Sequence, residues 1–140
     1  MKKIWILISL ICGGMLLSAQ HEVLAKNTQP NNDYVVVYKN GKNIRTITNK
    51  KSVTYISDLT GDLGENENGI HKKAPNNSKA VYHYVLHNGK KRTKPNAKIN
   101  LYVYSGTRKV HVTGLPIISN VTSNVNKKQY HKLTNPNHFE

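Results

Sequence analysis

Four of the chain's seven acids crowd together as Asp58, Asp62, Glu65 and Glu67. A cluster of carboxylate oxygens suits calcium, but the loop register fails. Counted from Asp58, the position that needs a turn glycine is Leu63, and the one that needs a closing glutamate is Gly69. The acids therefore read as a solvated loop. His83 and His87 fall on one side of an extended segment, about 13 Å apart at strand rise, too far to share a metal ion. His111, His131 and His138 are scattered. Ser57 and Ser105 lack any nucleophile elbow, and no glycine-rich phosphate loop is present. The single cysteine, Cys12, sits in an apolar N-terminal run, so neither disulfides nor thiolate metal sites are expected. These residues point away from catalysis, from metals and from cofactors.

What remains is a set of tyrosines interleaved with cations. Tyr82 and Tyr84 lie in one apolar segment, Tyr102 and Tyr104 in the next. Around them stand Lys90, Lys91, Arg92 and Lys94 in one run, and Lys109 after a turn. Aromatic faces among cations are a means of holding oligosaccharide or single-stranded nucleic acid on a β-barrel. The alternative is that the tyrosines support cross-strand pairs on a half-buried face. The chain has 21 Lys and Arg against 7 Asp and Glu, a net charge of +14 and a pI near 9.9. Such a surplus attracts anions, or simply makes a basic, soluble surface.

These side chains must be positioned by strands. Tyr34 to Lys39 is β-branched and aromatic, Asn40-Gly41 follows, and Lys42 to Thr48 continues the pattern. Asn-Gly between two such runs predicts a tight hairpin, because both residues tolerate positive φ. Further strands are expected at Ser52–Asp58, Ala80–His87, Lys98–Tyr104, Arg108–Thr113 and Leu115–Val121, with a glycine- and proline-bearing loop over 59–79. Asn88-Gly89 marks another turn. No window shows useful helical periodicity. The expected fold is all-β, a small five- to six-stranded OB-like barrel or sandwich spanning 34–125, with a polar leader at 26–33 and a mobile tail at 126–140.

Residues 1–25 read as a signal peptide. A charged start, Lys2-Lys3, precedes the apolar stretch from Ile4 to Leu17, and Val23-Leu24-Ala25 suits a cleavage site; an uncleaved anchor is the alternative. Period-2 alternation then sorts the faces. Burying the aliphatic sets, Val81 and Val85 in one strand and Ile99, Leu101 and Val103 in the next, places Tyr82, Tyr84, Tyr102 and Tyr104 together on an outer face.

Three segments also resemble a known family: Asp33-Tyr34-Val35 through Asn40-Gly41-Lys42; Tyr82 to Leu86 leading to Asn88-Gly89-Lys90-Lys91; and Ala97 to Val103 with the turn into Val110-His111-Val112-Thr113. In this order they are similar to the YxeA-like family of small exported proteins of Gram-positive bacteria. The resemblance covers about half of the chain beyond residue 25. It implies a five-stranded OB-like barrel and an exported or envelope-associated protein, and it supplies no catalytic residues.

The expected function is binding of an anionic cell-wall polymer or lipid headgroups outside the cell, without catalysis. A secreted cationic antimicrobial or effector protein, and an OB-type module for nucleic acid or oligosaccharide, are the alternatives. Oligomeric state is not readable.

Overall fold

In the computed structural model the described residues are 30–66, 73–75, 79–93, 97–117 and 120–140. The signal segment with Cys12, the start of the leader, and Lys94 lie outside them. Six strands form one antiparallel sheet: β1 (Tyr34–Lys39), β2 (Lys42–Ile47), β3 (Ala80–His87), β4 (Lys98–Tyr104), β5 (Lys109–Thr113) and β6 (Asn120–Asn124). Their order across the sheet is β2-β1-β3-β4-β5-β6. β2 and β6 are its edges, so the sheet is open and the barrel expected from the sequence is not closed. The fold remains dominated by the sheet.

The first hairpin forms as its turn residues require. Asn40 and Gly41 both adopt positive φ, 50° and 82°, which matches a turn whose twist suits the flanking strands.

Residues 50–66 overturn the expectation of a third strand followed by a loop. They form α1 (Lys50–Asn66), a helix of 17 residues. Its start is capped where Asn49 Oδ1 accepts from the Ser52 N–H. The stripe Val53, Ile56, Leu59 and Leu63 is buried against the sheet, a spacing of three and four that belongs to a helix face. The β-branched run SVTYIS has a strand's composition, and Gly61 and Gly64 are poor helix formers. Burial of the stripe outweighs both, as tertiary packing commonly does over propensity.

The tail is also part of the fold. Asn126 begins α2 (Lys127–Leu133) with a reciprocal capping box to Gln129, and a 3-10 turn, Pro136–His138, follows. Leu133 and Phe139 are both 0 % exposed within the core. The domain therefore extends through 139, rather than stopping at 125. The last strand is displaced as well: β6 begins at Asn120, near the end of the 115–121 segment expected to form it.

The core lies between α1, the C-terminal segment and one face of the sheet. Register defines that face. Val35, Leu86 and Ile99 align across β1, β3 and β4, as do Val37, Tyr84, Leu101 and Val112 from β1 through β5. The leader is pinned too. Lys90 N–H donates to the Pro30 carbonyl and Lys91 N–H to that of Asn31. Gly89 permits this approach, since a Cβ there would lie 2.4 Å from the Asn31 oxygen.

Candidate binding face

The tyrosines expected on one outer face are divided between two. Tyr84 faces the core: it is 0 % exposed, and its hydroxyl donates to the Leu133 carbonyl at 2.6 Å. Burial pushes its pKa far above the ordinary tyrosine value. Tyr82 shares this side of the sheet, half-buried against the core, with Lys39 Nζ 5.5 Å from its ring centroid. Tyr102 and Tyr104 belong to the opposite face, but Tyr104 is 5 % exposed and offers little surface. β3 runs in the opposite phase to the one that alternation predicts. Tyr84 and Leu86 bring more apolar area than the His83 and His87 set, and the tail supplies an acceptor for the buried hydroxyl. An aliphatic count could not register either fact.

On the face away from α1, register aligns Tyr38, His83, Tyr102 and His111 on β1, β3, β4 and β5. The rings form a continuous row. Tyr38 stacks on His83 at 5.5 Å between centroids, His83 on Tyr102 at 4.3 Å with 10° between planes, and Tyr102 meets His111 at 6.2 Å. A parallel pair, Tyr34 on His87 at 4.7 Å and 2°, lies beside it. His83 has a tyrosine against each side, so neither of its ring faces is open to a ligand. At His83 the row offers a ligand a ring edge and polar atoms, rather than a flat stacking surface.

Hydrogen bonds fix the row. His83 Nε2 lies 3.0 Å from Asn100 Oδ1, and Asn100 Nδ2 donates to Thr113 Oγ1 at 3.2 Å. With the amide so oriented, His83 carries its hydrogen on Nε2. At the other end Thr122 Oγ1 donates to the Lys73 carbonyl at 2.8 Å, and His111 Nδ1 lies 2.7 Å from Thr122 Oγ1. The hydroxyl's proton is committed to Lys73, so His111 Nδ1–H is the donor and Nε2 holds the lone pair. Burial lowers the His111 pKa below its ordinary value, and at His87 burial, followed by the charge of Lys98, acts in the same direction. Residue 73 therefore lies at the β6 edge of this face, while Tyr38, His83 and Tyr102 stay half-exposed.

The cations take up separate positions. Lys109 is exposed at the start of β5, opposite Asn124, on the strand that carries His111. Lys90, Lys91 and Arg92 are exposed in the β3–β4 connection. Arg92 is committed to Asp33, with Nη2 2.7 Å from Oδ2 and Nε 3.2 Å from each carboxylate oxygen. This guanidinium holds the Asp33 carboxyl below its ordinary range. Lys91 and Arg92 border a cavity shared with Lys50 of α1.

Alternation puts Tyr38 and His111 on the outer face beside Tyr102, as the structure does, without marking them as site residues; His83 and Lys50 escape it. Placing Tyr84 in the core would have turned His83 toward Tyr102 by alternation alone. Lys50 was hidden by the unrecognised helix. Among the described residues no group of three or more His, Cys, Asp or Glu is placed to hold a metal ion. No described helix is long and apolar enough to cross a membrane. No protein-family model, curated protein or solved structure matches this chain.

Proposed function

We propose that this is an exported, envelope-associated binding module without catalytic activity, which holds an anionic polymer of the cell exterior against the α1-distal face of its sheet. The row Tyr38–His83–Tyr102–His111 carries this reading. His83 is flanked by Tyr38 and Tyr102, and these three half-exposed residues present hydroxyl- and nitrogen-bearing edges for hydrogen bonding, while buried His111 closes the row. A net charge of +14 supplies the long-range attraction. Polyol phosphates and acidic glycans offer many oxygen acceptors and no obligate flat ring. Single-stranded nucleic acid binds chiefly by stacking bases on open aromatic faces, which His83 lacks. The resemblance to YxeA-like proteins agrees with an envelope location.

The test is retention of the folded protein on immobilised poly(glycerol phosphate) and on immobilised single-stranded DNA across a salt series. The reading expects stronger retention on the polyol phosphate, weakened in a His83→Ala/Tyr102→Ala variant that keeps the wild-type circular dichroism spectrum. Equal or stronger retention on DNA, or an unchanged variant, would reject it.

A further inference from the structure

A cavity of about 390 Å³ opens away from the ring row, between the leader, the start of α1 and the β3–β4 connection. Thr48, Lys50 and Thr54 line one side, and Lys91 and Arg92 another. Among the described residues that line it, Asp33 is the sole acid. That carboxylate is already engaged, because it accepts from the Gly89 N–H at 2.9 Å and from Arg92 through two nitrogens. Lys50 and Lys91 thus confront the cavity with no further acid among the described lining residues, beside two threonine hydroxyls able to donate.

The walls are held before any ligand arrives. The bonds from Lys90 and Lys91 to the carbonyls of Pro30 and Asn31, with the Asp33–Arg92 pair, tie the leader to the β3–β4 connection. A pre-set backbone wall spares a ligand the cost of ordering the loop, leaving only the two lysine side chains to be fixed. The volume falls within the usual range for small-molecule sites, about 300–1,000 Å³. It accommodates a phosphate group with a short polyol attached.

We infer that this cavity is a discrete site for a phosphate group, with Lys50 and Lys91 supplying charge, Thr48 and Thr54 hydrogen bonds, and Arg92 a fixed wall. The inference deepens the proposed polymer binding and rests on it for the source of the phosphate. A polyol-phosphate chain and a phospholipid headgroup present the same group.

The experiment records amide resonances of the full chain during titration with inorganic phosphate and with glycerol phosphate, at constant ionic strength set by chloride. Saturable shifts are expected at Asn31, Thr48, Lys91 and Arg92. In Lys50→Gln/Lys91→Gln the affinity is expected to fall about tenfold or more, as for the loss of charge-assisted contacts. A shift that does not saturate, that chloride reproduces, or that survives in the variant would overturn the site. This titration needs no polymer, so it stays readable even if retention on poly(glycerol phosphate) fails. The source is then separated by giving wild type and variant the polymer on one hand and phosphatidylglycerol vesicles on the other. Selective loss of either in the variant supports the site and identifies its source, and loss of neither counts against it.

Discussion

The Tyr84 hydroxyl donates to the Leu133 carbonyl across 2.6 Å, joining the centre of the sheet to the end of α2. Both residues are 0 % exposed. Tyr84→Phe removes the donor and strands a buried carbonyl. It is expected to lower stability by about 1–3 kcal/mol in urea unfolding. A change within error would mean that water reaches this carbonyl.

Phe139 tests the C-terminal segment more severely. Its ring meets Tyr84 edge-on at 5.9 Å, and Lys132 Nζ lies 5.0 Å from its centroid. Phe139→Ala is expected to cost about 3–5 kcal/mol, as for other buried aromatic truncations. A mobile tail would give nearly zero in the same unfolding measurement.

His111 and His87 set an acid limit on stability. Burial lowers both folded-state values below the ordinary 6.5, with Lys98 adding to the effect at His87. Well above pH 6.5 both folded and unfolded forms are neutral, and these groups contribute nothing to the pH dependence. As pH falls through 6.5 the unfolded chain takes up protons first, so stability declines until the folded values are passed. Unfolding midpoints measured from pH 8 to 5 should fall, and less steeply in His111→Gln. Nitrogen shifts of His111 should report the hydrogen on Nδ1.

Asp33 works at lower pH and with the opposite charge type. The hydrogen bond from Arg92 depresses its value below the ordinary 3.8. Its stabilising contribution is present above 3.8 and disappears as pH falls through the depressed folded value. Arg92 is exposed, so solvent screens the pair and Asp33→Asn is expected to have a small effect at neutral pH. A Gly89 amide resonance that titrates below the ordinary carboxyl range would confirm the linkage.

Two glycines in α1 should respond differently to alanine. A Cβ at Gly61 meets nothing within 4 Å, so Gly61→Ala is expected to stabilise by about 0.5–1 kcal/mol. At Gly64 a Cβ would lie 2.9 Å from Leu115 Cδ1, and the shift demanded of Leu115 offsets that gain. Thermal midpoints of the two variants compare them directly.

The legible parts of the sequence were those with local causes. Asn40-Gly41 announced the first hairpin because positive φ is a property of two residues. Alternation in Lys98–Tyr104 placed Leu101 and Val103 inside correctly. The illegible parts depend on distant partners. Ser52–Asp58 has a strand's composition, and only the sheet that buries Val53, Ile56 and Leu59 makes it a helix. The phase of β3 turns on whether a buried tyrosine hydroxyl finds an acceptor, and that acceptor lies 49 positions further on. The ring row inherits the same difficulty at His83, because the phase of β3 decides whether it joins Tyr38, Tyr102 and His111, which alternation alone already places on the outer face.

The dependence of the sheet on Leu133 and Phe139 also sets an order of events. A polypeptide emerging amino-end first, from a ribosome or a translocation channel, exposes β1 through β6 before the pieces that close the interior are free. Until residue 139 is out, the layer beneath α1 stays wet and open. A chain arrested short of that point should remain protease-sensitive, and release of the segment from Leu133 through Phe139 would act as the latch.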